Sequence, residues 1–289
     1  MRQKCSKLIY LPDPQIYPGP DGNEVKKGEF YEQWSVNDHC HICAEDGKWH
    51  MFGIAHPLTS AQEPHDGEYQ LFHAVSDSPL EKYRCCGMIL PPSERPGERP
   101  EFHSPTVIHK DGFYYMICGP EDIRMYRSKD LYQWEKVGTI FSEPDLSGAR
   151  DPQIQMVNGR YLLTYCIYKQ VCYRWSDDLF NWSERQLLMQ MPENLHPESP
   201  FVYFYNGKVY LFLCLWDGEN DRVHFEDSYQ SITHVYRADE LREMSRKDFY
   251  CTLRAHAPEI LNCNGKIFMT SAFYPENGIN IMELIPWND

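Results

Sequence analysis

Basic runs are missing from this chain. Its 28 Lys and Arg are outnumbered by 42 Asp and Glu, for a formal net charge of −14. Such a surface repels a polyanion, so no nucleic-acid partner is expected. Long apolar runs are missing too: nothing approaches the ~18 consecutive apolar residues of a membrane helix. The stretch Leu8 to Leu11 stops at Pro12, too short for a secretory h-region. A soluble chain with no membrane partner is therefore expected. No G-x-S-x-G elbow, P-loop or G-x-G-x-x-G occurs, which removes the usual signals for serine hydrolases and for nucleotide binding.

Other residue types are abundant. The hydrophobic share is 42% and the aromatic share 14%, enough for a substantial core, and 21 Pro with 17 Gly favour many short strands and turns. Cysteine is plentiful at 11, an odd number, and several sit in apolar runs, as at Cys118, Cys166 and Cys214. They read as reduced, buried small hydrophobes, which points to the cytoplasm.

A repeat organises the chain. Asp46-Gly47, Asp111-Gly112, Asn158-Gly159, Asn206-Gly207 and Asn264-Gly265 each join two apolar runs, at glycine spacings of 65, 47, 48 and 58. An apolar run, a DG or NG pair and a second apolar run is the strongest short hairpin signal. Three hairpins are followed by polar-aromatic elements, FHAVSDSPLEKY, MYRSKDLYQW and YRWSDDLFNW, with a weaker echo in VYRADELREM. These supply a third and a fourth strand. Four strands in about 45 residues is the size of a propeller blade. The predicted fold is all-β: one five-bladed β-propeller domain over 1–289, with four-stranded antiparallel blades around a central channel. Its blade hairpins lie near 38–55, 103–119, 150–166, 198–214 and 256–272. INIMELIP should close the last blade with help from the N-terminal KLIYLP, and EPHDGEYQ and PPSERPGERPEF read as loops. A β-sandwich with similar hairpins is the alternative.

Innermost propeller strands converge on the channel. Counting back nine residues from each hairpin glycine gives Asp38, His103, Arg150, Glu198 and His256; the next positions give His39, Ser104, Asp151, Ser199 and Ala257. Scaffold needs alone favour similar residues around such a ring, yet this one mixes acids, an arginine and histidines. That pattern marks a functional site at the channel mouth. Glycoside hydrolysis needs two carboxyl groups, one protonated to assist the leaving oxygen and one ionised to activate water or attack the anomeric carbon. A third acid and an arginine can tune the donor.

The same residues resemble known motifs. WSVNDHCHICAEDGKWHMF is similar to the first blade of glycoside hydrolase family 32, and ARDPQI resembles its R-D-P motif. HPESPFVYFYNGKVYLF resembles the acid-bearing segment of blade four in families 32 and 43, and FHSPTV takes the place of a W-A-P segment in family 43. The resemblance implies a glycosidase of the five-bladed propeller superfamily, acting on fructosides, arabinosides, xylosides or similar sugars. It implies Asp38 as nucleophile or general base, Asp151 as transition-state stabiliser or pKa modulator, and Glu198 as general acid. Arg150 would bind sugar hydroxyls, with Asn37 kept beside Asp38, and His256 matches a central histidine of family 43. Family 32 implies retention of configuration and family 43 inversion. His39 departs from the pattern, standing where a proline usually follows the first acid.

His39, His41, His103, His196 and His256 fall near the predicted channel and read as sugar ligands or carboxylate tuners. No cofactor is required by this chemistry, and no zinc pattern is complete. The resemblance allows Ca²⁺ at the channel centre. Trp49, Trp134 and Trp182 occupy repeat positions and should be core; Trp34 and Trp216 fall outside them and are candidates to line the pocket. The expected partner is a small-molecule or oligosaccharide substrate. Competing readings are a phosphorylase or transglycosidase on the same fold, and a non-catalytic carbohydrate-binding propeller.

Overall fold

Four of the five turns adopt the two-residue hairpin geometry. Asp111, Asn158, Asn206 and Asn264 have φ between 47° and 52°, and the glycine after each is also left-handed. Asn and Asp tolerate that conformation and glycine has no Cβ to oppose it, so strands on either side can pair with the right-handed twist of a sheet. The computed structural model describes residues 1–59, 66–89, 101–141, 148–216 and 231–286. The segment PPSERPGERPEF falls almost wholly outside the described residues, as does the first part of EPHDGEYQ.

The described strands form five four-stranded antiparallel sheets and one small two-stranded ribbon. Blade 1 runs Trp34–Cys43, Trp49–Pro57, Leu71–Ser76 and Arg84–Ile89. Blade 2 is His103–Lys110, Phe113–Gly119, Ile123–Ser128 and Glu135–Phe141. Blade 3 is Arg150–Val157, Arg160–Ile167, Gln170–Ser176 and Gln186–Gln190. Blade 4 is His196–Tyr205, Lys208–Trp216, Ile232–Ala238 and Phe249–Arg254. Blade 5 joins Ile260–Cys263, Lys266–Ala272 and Ile279–Ile285 to the N-terminal Arg2–Tyr10 as its outer strand. The chain therefore forms the expected five-bladed propeller, and its first strand closes the ring on its last blade.

Apolar side chains explain why the blades stay together. Each buried cluster fills a gap between neighbours. Phe52, Ile54 and Leu71 of blade 1 meet Val107, Met116 and Tyr126 of blade 2. Ile117 and Met125 of blade 2 meet Leu163 and Tyr165 of blade 3. Leu162 and Val171 meet Val202 and Leu211 across the next gap, and Phe212 and Val235 meet Met269 and Met282 across the one after. The ring closes where Ile279 and Ile281 meet Trp34 and Met51. The polar-aromatic repeats act as turns: Ser128 Oγ accepts from Leu131 N and Asp130 Oδ1 accepts from Tyr132 N and Gln133 N, and Ser176 and Asp178 repeat the arrangement. All eleven cysteines are free thiols.

Closure depends on one glycine. Gly278 has φ +117°, and a Cβ there would overlap the Tyr10 carbonyl oxygen. Gly278→Ala combines backbone strain with a clash at the seam, for an expected loss of about 2–4 kcal/mol. A chain of this size then melts several degrees lower. An unchanged melting temperature would mean that the N-terminal strand does not carry closure.

Candidate active site

Strict alternation along a strand sends neighbouring side chains to opposite faces. The innermost strands break that rule at one place. His103 pairs with Gly119 and Thr106 with Ile117, so Ser104-Pro105 face a single residue. Arg150 and Gln153 repeat this around Asp151-Pro152, and Glu198 and Phe201 repeat it around Ser199-Pro200. Ser104, Asp151, Ser199 and Ala257 have φ of 47°, 53°, 48° and 45°. The extra residue is a β-bulge, and it turns two consecutive side chains towards the pocket. This is why Arg150 with Asp151, and Glu198 with Ser199, line one cavity of about 570 Å³.

Blade 1 corrects the counting. Its turn carries three residues, Glu45, Asp46 and Gly47, with Gly47 N donating to Ala44 O and Ala44 N to Lys48 O. The added turn residue shifts the register by one, and the bulge lies one pair further from the turn, so the count moves by two. Val36 pairs with Ala55 and His39 with Gly53, so the bulged pair is Asn37-Asp38. In register, Asn37 is the counterpart of Asp151 and Ser199, and Asp38 stands where other blades have proline. That accounts for His39: it is the counterpart of Gln153, not of the missing proline. The bulge still directs both Asn37 and Asp38 into the cavity.

Distant acids therefore meet. Asp38, Asp151, Glu198, Asn37, Arg150, His103, His256 and Trp216 all line the same cavity. Ser199 Oγ donates to Asp38 Oδ1. Asp151 accepts from Ser104 Oγ at 2.9 Å and from Ser199 N at 3.0 Å. Arg150 Nε lies 3.5 Å from Asp151 Oδ2, and its Nη2 donates to Pro197 O at 2.8 Å. The two serines, which sequence reasoning left unassigned, hold the carboxylates in place. Their one legible signal was that they follow His103 and Glu198 in the ring.

Burial pushes the Asp38 carboxyl up to about 8, and the nearby charges of Asp151 and Glu198 push the same way; hydrogen bonds from Ser199 and Ser104 oppose the rise. Asp38 therefore keeps a proton that an isolated carboxyl would lose near pH 4. Burial works against the Arg150 charge, but Asp151 leads the charges that raise its proton affinity overall. Below the acids lies a second space of about 20 Å³, room for one water, lined by Asp38, His39, Gln153 and Glu259 among others. Burial raises Glu259 well above the ordinary carboxyl range, and the Asp38 charge adds to this.

Two expectations change. Trp34 is 1% exposed and packs between blades 5 and 1, so it is core and does not line the pocket. Its aromatic mass belongs to the ring-closing cluster with Tyr17 and Met51. His41 lies away from the cavity, with Nδ1 3.2 Å from Tyr83 OH, and His39 Nε2 pairs with Thr270 Oγ1 at 2.7 Å. Burial lowers both imidazoles. They are neutral packing groups between blades. His196 stands beside Trp216, ring centroids 5.4 Å apart. Trp49, Trp134 and Trp182 pack against the interblade clusters, as expected. Among the described residues no group of three or more His, Cys, Asp or Glu side chains is placed to hold a metal ion.

A family model described as Glycosyl hydrolases family 43 matches residues 96–280, which leaves blade 1 and Asp38 outside it. A 1,2-beta-oligomannan phosphorylase from Thermoanaerobacter sp. (strain X514) is 27% identical over 183 residues, 59% of this chain and 57% of that protein. The Bombyx mori GH32 beta-fructofuranosidase BmSUC1 superimposes with a TM-score of 0.66 at 18% identity, over 95% of this chain and 63% of that one. The Cellvibrio cellulosa alpha-L-arabinanase, solved with arabinohexaose, gives 0.65 at 15% identity, over 88% and 93%. At such identities the structural likeness establishes the fold. The chain thus spans less than two-thirds of the phosphorylase and of the fructofuranosidase.

Proposed function

This chain belongs to glycosyl hydrolases family 43, and from that premise we infer that it hydrolyses a glycosidic bond of a fructo-, arabino- or xyloside type sugar. The observation that carries the reading is the meeting of Asp38, Asp151 and Glu198 in one cavity with a retained proton. Glu198 donates the proton to the leaving oxygen. Asp38, which accepts from Ser199 Oγ, activates the attacking water once it has released its own proton. Asp151 accepts two hydrogen bonds, lies beside Arg150, and stabilises positive charge that develops at the anomeric carbon. Family membership favours inversion.

The oligomannan phosphorylase relative raises a second reading, transfer to phosphate. The charge of the cavity speaks against it. Its walls carry Asp38, Glu68, Asp151 and Glu198, while Arg150 is already engaged by Pro197 O and Asp151. A phosphate dianion meets net repulsion there.

The test is a panel of arabino-, fructo-, xylo- and manno-oligosaccharides, assayed with and without inorganic phosphate. Free sugar released at the same rate in both buffers is the expected result. Sugar 1-phosphate formed only when phosphate is present would replace hydrolysis by phosphorolysis.

A further inference from the structure

One carboxylate of the cavity has no part in the chemistry just described. Glu68 is 3% exposed and lines the cavity from the connection between the second and third strands of blade 1. Imidazoles flank it. Glu68 Oε1 lies 3.8 Å from His56 Nε2, and Glu68 Oε2 lies 3.5 Å from His103 Nε2. Both distances exceed the 2.7–3.2 Å range of a direct N–H···O bond. An oxygen on the cavity side can therefore sit about 2.8 Å from both atoms of either pair.

The hydrogen inventory says what such an oxygen must offer. His56 Nδ1 lies 3.1 Å from Pro57 O, which can only accept, so Nδ1 carries a hydrogen. In the tautomer with its hydrogen on Nδ1, Nε2 is an acceptor and lies beside Glu68 Oε1. That edge calls for a donor. At the other edge His103 Nε2 is a buried ring nitrogen with no hydrogen-bond partner, turned towards Glu68 Oε2. A hydroxyl there can donate to Glu68 and accept from the imidazole. The two carboxylate oxygens match the spacing of two neighbouring hydroxyls on a sugar ring, as in other bidentate carboxylate contacts.

We propose that Glu68, flanked by His56 and His103, is a specificity-determining carboxylate that grips a pair of adjacent hydroxyls on the sugar. His56 and Glu68 come from blade 1 and His103 from blade 2, whereas Asp151 and Glu198 come from blades 3 and 4 and Asp38 alone of the three acids shares blade 1. The proposal rests on the sugar-binding reading above. It implies a neutral sugar with an intact vicinal diol. Sugars carrying a carboxylate or sulfate at that edge meet Glu68 and are rejected.

Calorimetric titration with L-arabinose, D-xylose, D-fructose and D-mannose tests it on the wild type, Glu68→Gln and Glu68→Ala. The sugar that binds wild type best should bind Glu68→Ala about 10- to 100-fold more weakly, the loss expected for hydrogen bonds to a charged group. A monodeoxy analogue lacking one gripped hydroxyl should keep only part of the gap between wild type and Glu68→Ala, a dependence on a single hydroxyl that a merely structural role would not produce. Glu68→Gln keeps the shape of the side chain, and an unchanged melting temperature separates lost recognition from lost folding. Equal affinity for the intact sugar in all three proteins would overturn the proposal, as would no binding of any of the four sugars to wild type. Sugar binding by a wild type that cleaves no glycoside would sink the hydrolase reading and leave this one standing.

Discussion

Glu198→Gln should lower kcat/KM by about 10²–10⁴-fold on glycosides with poor leaving groups. Glutamine keeps the shape and the hydrogen-bonding reach of glutamate but cannot surrender a proton to the departing oxygen. The loss should shrink on aryl glycosides, whose phenolate leaves without help. That contrast separates proton donation from a packing role, because a distorted pocket would slow both substrates alike. The wild-type pH profile should agree. Asp38 keeps its proton up to about pH 8 and must lose it to activate water, so kcat/KM should rise as pH climbs towards that point. An equal loss on both substrate classes would remove Glu198 from proton donation, and a wild-type rate level from about pH 5 to 8 would remove Asp38 from water activation.

Asp38→Asn should abolish most turnover and, at the same time, stabilise the protein at pH 8. The sign follows from the proton count. The folded state holds its proton on this group to about pH 8, whereas an unfolded aspartate releases it near 4. Between those limits the native state binds more protons, so stability falls as pH rises across the window and the whole penalty is present above it. At about 1.4 kcal/mol per unit the full shift corresponds to roughly 6 kcal/mol. Water in the open cavity screens part of this, leaving about 2–3 kcal/mol. Asparagine removes the titration. The variant should melt several degrees above wild type at pH 8, with little difference at pH 4. A variant that melts no higher at pH 8 would mean that Asp38 is not held protonated by its neighbours.

How much of this was legible beforehand differs between elements. Four hairpins obeyed the spacing of their glycines because a two-residue turn leaves no freedom in register. The fifth, at Asp46-Gly47, looked the same and was not, since Gly47 closes a three-residue turn. Two residues of difference, one in the turn and one in the place of the bulge, moved Asp38 out of line with Glu198 and into line with the prolines. No pattern of residue types announces that step. The convergence of Asp38, Asp151 and Glu198 survived it because the bulge aims both of its residues inwards. Trp34 was misread because an aromatic outside the repeat was taken for a pocket wall, when it fills the seam that closes the ring.

Glu68 lies at the opposite extreme. It sits in a stretch that reads only as a connection, rich in charge and turn residues, and its neighbours His56 and His103 come from different blades. Residue type and local period determined the strands, the turns and the five-fold repeat, because those depend on interactions a few residues apart. Which side chains share the cavity, how their charges raise one proton's affinity, and which histidines face a carboxylate were decided by blade packing. Those properties depend on distances between residues far apart in the chain, and only the closed ring sets them.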